Sequence, residues 1–196
     1  MDWVMANLEW IATAFALIYV ALAAKSNSWC WFFGAIGCSI WAYVSWEANL
    51  LSDAVLQLFY VLVSIWGWWR WQFADRSANK VPPVSKMSLK EHLIIWGVGL
   101  PLGYILGRYL GDNFGAVATY WDAYTTVFSV IVTFAVVTRK LENWLYWILI
   151  DIVTGALYFS RGLTAFGLVM VVYLILAVIG YLSWDKELKS RKLESV

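Results

Sequence analysis

Two blocks of this chain, Ile11 to Ala24 and Gly162 to Trp184, contain no charged residue. A mainly apolar run of ~17–25 residues is what a helix needs to cross about 30 Å of hydrocarbon at ~1.5 Å per residue. No water reaches that depth, so backbone N–H and C=O groups must be satisfied within the segment, which selects helices. The rest of the 196 residues agrees: 62% are hydrophobic and 14% charged. Soluble domains hold about 45–50% apolar and about 25% charged residues. A soluble fold of this make-up would lack the polar surface to cover itself. The net charge of +1 leaves no basic footprint for nucleic acid.

Read by hydrophobic blocks, the chain is an all-α integral membrane protein with seven predicted spans, at 8–24, 30–49, 52–72, 92–110, 117–138, 143–160 and 164–184. The longest polar connection is 74–91. The charged tail after Trp184 is expected to protrude as a frayed helix. Met1-Asp2-Trp3 has no basic n-region, so no signal peptide is expected. Of the 14 Lys and Arg residues, 12 fall on one side of this layout and only Arg108 and Arg161 on the other. The positive-inside rule makes the crowded side cytoplasmic, with the N-terminus outside and the C-terminus inside.

The two ends of the chain resemble each other. Lys25-Ser-Asn-Ser-Trp29 matches Lys140-Leu-Glu-Asn-Trp144 at an offset of 115, as Tyr43 and Ser45 match Tyr158 and Ser160. After a two-residue slip, Tyr60, Gly67 and Trp71 match Tyr173, Gly180 and Trp184 at 113. Spans 1–3 and 5–7 are thus predicted to be copies of one three-helix unit. Three crossings invert a copy that follows directly, and span 4 restores its direction. The expected plan is a 3+1+3 parallel repeat with alternating access along its axis. The domain scheme is 1–73 for the first repeat, 74–115 for the loop and connector helix, 116–184 for the second repeat and 185–196 for the tail. Gly97, Gly99, Pro101, Gly103 and Gly107 suit an irregular connector.

Ionisable and polar groups are costly in hydrocarbon and usually face a cavity or a partner. Three spans carry such groups at helical spacing. Span 5 has Asp122, Thr126, Ser129 and Thr133; span 6 has Trp144, Trp147 and Asp151; span 3 has Gln57, Tyr60 and Ser64, followed by Trp66 in an aromatic run. Small polar residues also serve as interhelical hydrogen-bonding partners, and tryptophans as an interfacial belt, so both uses stay open. Asp151 lies about eight residues inside its span, ~12 Å deep at 1.5 Å per residue. Aromatic rings with isolated amides and carboxylates suit a flat cationic heterocycle: the rings stack on it and the few polar groups orient it. The candidate substrate-binding residues are therefore Gln57, Tyr60, Ser64, Trp66, Asp122, Thr126, Ser129, Trp144, Trp147 and Asp151. No enzyme, cofactor or metal site is expected. Cys30 and Cys38 read as small buried residues, the single His92 reads as an exposed loop-end residue, and no nucleophile–base set or phosphate loop occurs.

At these residues the chain resembles the PnuC family of vitamin transporters, over nearly its whole length. The resemblance rests on Ala23-Ala24-Lys25-Ser26-Asn27-Ser28-Trp29, Leu56-Gln57 and Ser64-Ile65-Trp66-Gly67-Trp68 in the first repeat. In the second it rests on Trp121-Asp122-Ala123-Tyr124-Thr125-Thr126 and on Thr138-Arg139-Lys140-Leu141-Glu142-Asn143-Trp144-Leu145-Tyr146-Trp147. It implies a fold similar in plan to SWEET sugar transporters. It also implies facilitated diffusion of an unphosphorylated vitamin that a cytoplasmic kinase then traps, a bacterial inner membrane location and a homo-oligomer, trimeric in the family. Riboside-carrying members typically have Asn where Asp151 stands, and some have Asn where Ser64 stands. A mid-membrane carboxylate suits thiamine, so thiamine is the expected substrate, with nicotinamide riboside as the alternative and riboflavin as a third family substrate. An integral-membrane enzyme or scaffold is the alternative from a different class.

Overall fold

The structure, a computed structural model, describes residues 2–48, 51–73, 81–114 and 119–194. Among them are seven α-helices: α1 (Asp2–Ala24), α2 (Cys30–Glu47), α3 (Leu51–Phe73), α4 (Leu89–Phe114), α5 (Thr119–Val137), α6 (Asn143–Ser160) and α7 (Thr164–Glu194). Every predicted span is present. Four helices are long and apolar enough to cross a membrane on length and composition alone: α1, α4, α5 and α7. Four helices exceed their predicted spans: α3 slightly, α4 at both ends, to Leu89 and Phe114, and the first and last helices further. α1 starts at Asp2, and α7 continues unbroken through the charged tail to Glu194. There Lys189 pairs with Asp185, and Arg191 with Glu187, at i,i+4 spacing that favours helix.

The chain divides into two compact units, Met1–Pro82 and Pro83–Val196. In the first, α2 packs against both α1 and α3. Small residues allow the approach: a Cβ on Gly34 would meet the Tyr19 ring, and one on Gly37 would meet Phe15 and the Ala12 carbonyl. Gly67 forms a notch in α3 filled by the Trp31 ring of α2. Trp71 then closes edge-on at 5.4 Å between centroids.

The second unit repeats this internal geometry. Gly180 of α7 is the notch, Trp144 of α6 fills it, and Trp184 meets Trp144 edge-on at 5.3 Å. α2 starts at residue 30 and α6 at 143, 113 later. The turns match as well. Ser26 (φ 57°) and Arg139 (φ 54°) both take the left-handed conformation, unusual outside glycine. The amides that follow, of Asn27 and Lys140, donate to Leu22 O and Ala135 O respectively. A single offset of 113 therefore governs the whole comparison. The 115-residue matches are coincidences of composition: Trp29 is exposed and meets Trp68 and Phe32, while Trp31 is the counterpart of Trp144.

α4 belongs to the second unit and lies along α5. Three of its glycines serve contact, and the helix continues through Pro101. A Cβ on Gly99, Gly103 or Gly107 would overlap the ring of Phe128, Tyr124 or Tyr120. Small residues spaced by four let two helices approach closely where no hydrophobic force drives them together. Ahead of α4, Ser85 bridges to the α5–α6 turn. Its amide donates to Arg139 O (3.0 Å), and its carbonyl accepts from the Leu141 amide (2.9 Å). The Met87 amide donates to Glu142 Oε2 at 2.7 Å. Residues 74–80 of the long connection lie outside the described residues.

Candidate substrate-binding residues

α6 carries the deepest acid. Helical spacing from Asn143 sets Trp144, Trp147 and Asp151 along one side, and Asp151 is 8% exposed. Among the described residues no cation or hydrogen-bond donor meets its carboxylate. Trp144 is 3% exposed and locked in the Gly180 notch, with its indole N–H buried and unpartnered. Trp31 shares this environment, also with a buried, unpartnered indole N–H. The pair is scaffold first: Trp31 fastens α2 to α3, and Trp144 fastens α6 to α7. Trp147 is half-buried against the cluster of Met87, Ile95, Phe128, Val132, Ala135, Tyr146 and Ile150.

The polar stripe of α5 divides. Asp122 forms an ion pair of 2.5 Å with Arg161, beyond the end of α6. Its hydrogen bond raises the pKa of the Arg161 guanidinium. Asp122 is thus already neutralised within the unit, and Asp151 is not. Thr126 and Ser129 are half-buried. The buried Thr133 hydroxyl donates to Ser129 O at 2.7 Å, an i−4 bond common for Thr within helices. At about 100° per residue the stripe sits roughly a third of a turn from Phe128, Val132 and Ala135, which face the apolar cluster.

On α3, Ser64 is buried, with its hydroxyl over Gly34 of α2. Gln57 is half-buried, and its Nε2 points to Asp53 Oδ1 at 3.5 Å. Asp53 also accepts from the Ser45 hydroxyl. Asp53 is a neighbour that the sequence reading did not select, although its i,i+4 spacing to Gln57 was visible. Tyr60 is half-buried and meets the Phe59 ring edge-on at 5.8 Å. Of the aromatic run, Trp66 is exposed and Trp71 fully buried, so Trp71 rather than Trp66 enters the helix packing.

Two further features went unread. His92 is not a bare loop-end residue: its Nδ1 lies 2.7 Å from the Tyr146 hydroxyl. Above that contact, α4, α5 and α6 enclose a cleft of about 350 Å³, lined by Trp96, Tyr124, Phe128, Tyr146, Leu149 and Ile150 among others. None of the ten candidate residues lines it. Among the described residues neither Cys30 nor Cys38 forms a disulfide.

Comparison with known proteins gives these residues a context. The profile of the nicotinamide mononucleotide transporter family matches residues 6–186. The nicotinamide riboside transporter PnuC of Neisseria mucosa is 25% identical over 195 residues, covering 92% of this chain and 74% of the relative. That of Escherichia coli K12 is 22% identical over 213 residues, covering 94% and 89%. The riboflavin/roseoflavin transporter RibM of Streptomyces davaonensis is 23% identical over 179 residues, covering 90% and 83%. The crystal structure of the vitamin B3 transporter PnuC matches with a TM-score of 0.73 at 25% identity, over 94% of this chain and 83% of that one. With seven helices, a matching solved transporter and a family profile that spans nearly its whole length, the chain belongs to the nicotinamide mononucleotide transporter (PnuC) family, whose members are multi-pass membrane transporters and not enzymes.

Proposed function

We propose that this chain carries nicotinamide riboside across a bacterial inner membrane by facilitated diffusion. The observation that carries the choice of substrate is the set of relatives named as nicotinamide riboside transporters; Asp151, a buried carboxylate with no cationic partner among the described residues and one turn beyond Trp147, supports a cationic substrate of either kind. An uncompensated buried charge is expensive, and a pyridinium substrate relieves that cost. The riboside carries such a ring, and relatives named as nicotinamide riboside transporters turn the expectation from thiamine toward it. Trp147, in the same helix as Asp151, is proposed to stack on the ring, and Gln57, Tyr60 and Ser64 of α3 are polar candidates within their own unit. Trp66, Thr126 and Ser129 are secondary candidates. Trp144 supports from behind, and Asp122 acts with Arg161 rather than on the substrate.

The working plan is a 3+1+3 parallel repeat with alternating access, the four-segment division given above, an outside N-terminus and a cytoplasmic C-terminus. Phosphorylation inside traps the vitamin, and a homotrimer is the proposed assembly. Uptake of labelled nicotinamide riboside into proteoliposomes without an ion gradient tests the reading. Equilibration of the riboside, with exclusion of its phosphorylated form, is expected. Thiamine is the second reading, because Asp151 would balance its charge equally well. Thiamine entry without riboside entry would reverse the assignment.

A further inference from the structure

The cleft between α4, α5 and α6 has no role in the reading above, yet its chemistry is specific. Its walls are apolar and aromatic, and Trp96, Leu100, Trp121 and Leu149 remain exposed along it. Two of its three helices, α4 and α5, are long and apolar enough to cross a membrane, so hydrocarbon is its natural surrounding. A cleft of about 350 Å³ accommodates part of an acyl chain.

The end of α4 beside the cleft is basic. Lys86 and Lys90 are exposed there and have no ion pair among the described residues. Lys140 joins them, with its amine 3.5 Å from Lys86 O. The acids nearby are already occupied. Glu91 pairs with Lys140 at 2.8 Å and caps α4 through Ser88. Glu142 accepts from the Met87 amide. The His92–Tyr146 contact links this rim to the cleft, since Tyr146 lines it. An apolar cleft with two exposed lysines, Lys86 and Lys90, that have no ion pair among the described residues near one end is complementary to a lipid with hydrocarbon chains and an anionic headgroup. Basic pockets between transmembrane helices recognise such headgroups.

We infer that the second unit holds an anionic phospholipid, one acyl chain in the α4–α5–α6 cleft and the phosphate at Lys86 and Lys90. Phosphatidylglycerol is the probe of choice. The protein is reconstituted with lipids brominated on the acyl chain, which quench tryptophan on contact, and the Trp96-dependent signal is isolated by subtracting the Trp96→Phe variant. Brominated phosphatidylglycerol should quench it at least about fivefold more effectively than brominated phosphatidylcholine at equal mole fraction, from ~1 kcal/mol per lysine near the surface. Lys86→Gln/Lys90→Gln should abolish the difference while leaving chain-dependent quenching in place. Equal quenching by the two lipids in the unmodified protein overturns the headgroup assignment. Absence of Trp96-dependent quenching by either overturns the cleft assignment, and crosslinking between Leu149→Cys copies would then identify a second copy as the occupant.

Discussion

Adding one methyl group to Gly67 or to Gly180 tests whether the two repeats are built on the same notch. A Cβ on Gly67 would lie 2.5 Å from Trp31 ring atoms, and one on Gly180 would lie 2.6 Å from those of Trp144. Neither ring has room to retreat. Trp31 is 1% exposed and held between Tyr19 and Trp71; Trp144 is backed by Trp184. Overpacking of this kind costs ~1–3 kcal/mol, and rings fixed on their far side argue for the upper part of that range. Alanine recovers up to about 1 kcal/mol of helix propensity over glycine. The net loss is ~1–2 kcal/mol for each substitution, a fall of about 2–8 °C in Tm for a chain of this size. Gly97→Ala is the internal control: nothing lies within 4 Å of its added Cβ, so only the propensity gain remains and Tm should rise by about 2–4 °C. Intrinsic-fluorescence melting in detergent reads all three. The reasoning fails if Gly67→Ala or Gly180→Ala proves as benign as Gly97→Ala. It fails equally if only one of the pair is damaging.

Asp151→Asn should weaken binding of a cationic vitamin about tenfold to a hundredfold, the part of a ~4 kcal/mol close-range attraction left after desolvation is deducted. A neutral dihydropyridine analogue should bind almost unchanged, and titration calorimetry of both ligands separates charge from shape. Arg139→Ala removes a buried guanidinium that pairs with Glu187 at 2.8 Å and lies 4.9 Å from the Trp184 ring centre. It should destabilise the protein by about 2–4 kcal/mol in a denaturant melt. Arg161→Gln breaks the half-exposed pair with Asp122 and should change stability by no more than ~1 kcal/mol; a larger loss would show that membrane burial strengthens the pair.

Helix number and position were legible because hydrocarbon imposes length on apolar runs, and a charged residue lies near most ends. Register was harder. Lys25 with Trp29 imitates Lys140 with Trp144, and only backbone geometry, the left-handed Ser26 and Arg139, reveals Trp31 as the true counterpart. Asp151 was legible because no charge lies near it in sequence and none among the described residues meets it in space. Asp122 looked similar, but its partner Arg161 is 39 residues away and only folding brings them together. Gly99, Gly103 and Gly107 of α4 were misread for a comparable reason. Irregular helices and closely packed helices both favour glycine, and the choice depends on Tyr120, Tyr124 and Phe128 of a different helix.

The constant step of 113 also has a consequence for how this chain can change. Between the Ser26 turn and Trp71, the first unit shares few identities with its counterpart beyond Trp31, Tyr60, Gly67 and Trp71, yet the two segments have the same number of residues. Chemistry has drifted while count has not. One residue inserted into the body of α3 would turn everything after it by about 100° and carry Trp71 off the face that meets Trp31. For this architecture a substitution is a local event, whereas a single insertion is a rotation, and length is the stricter structural requirement.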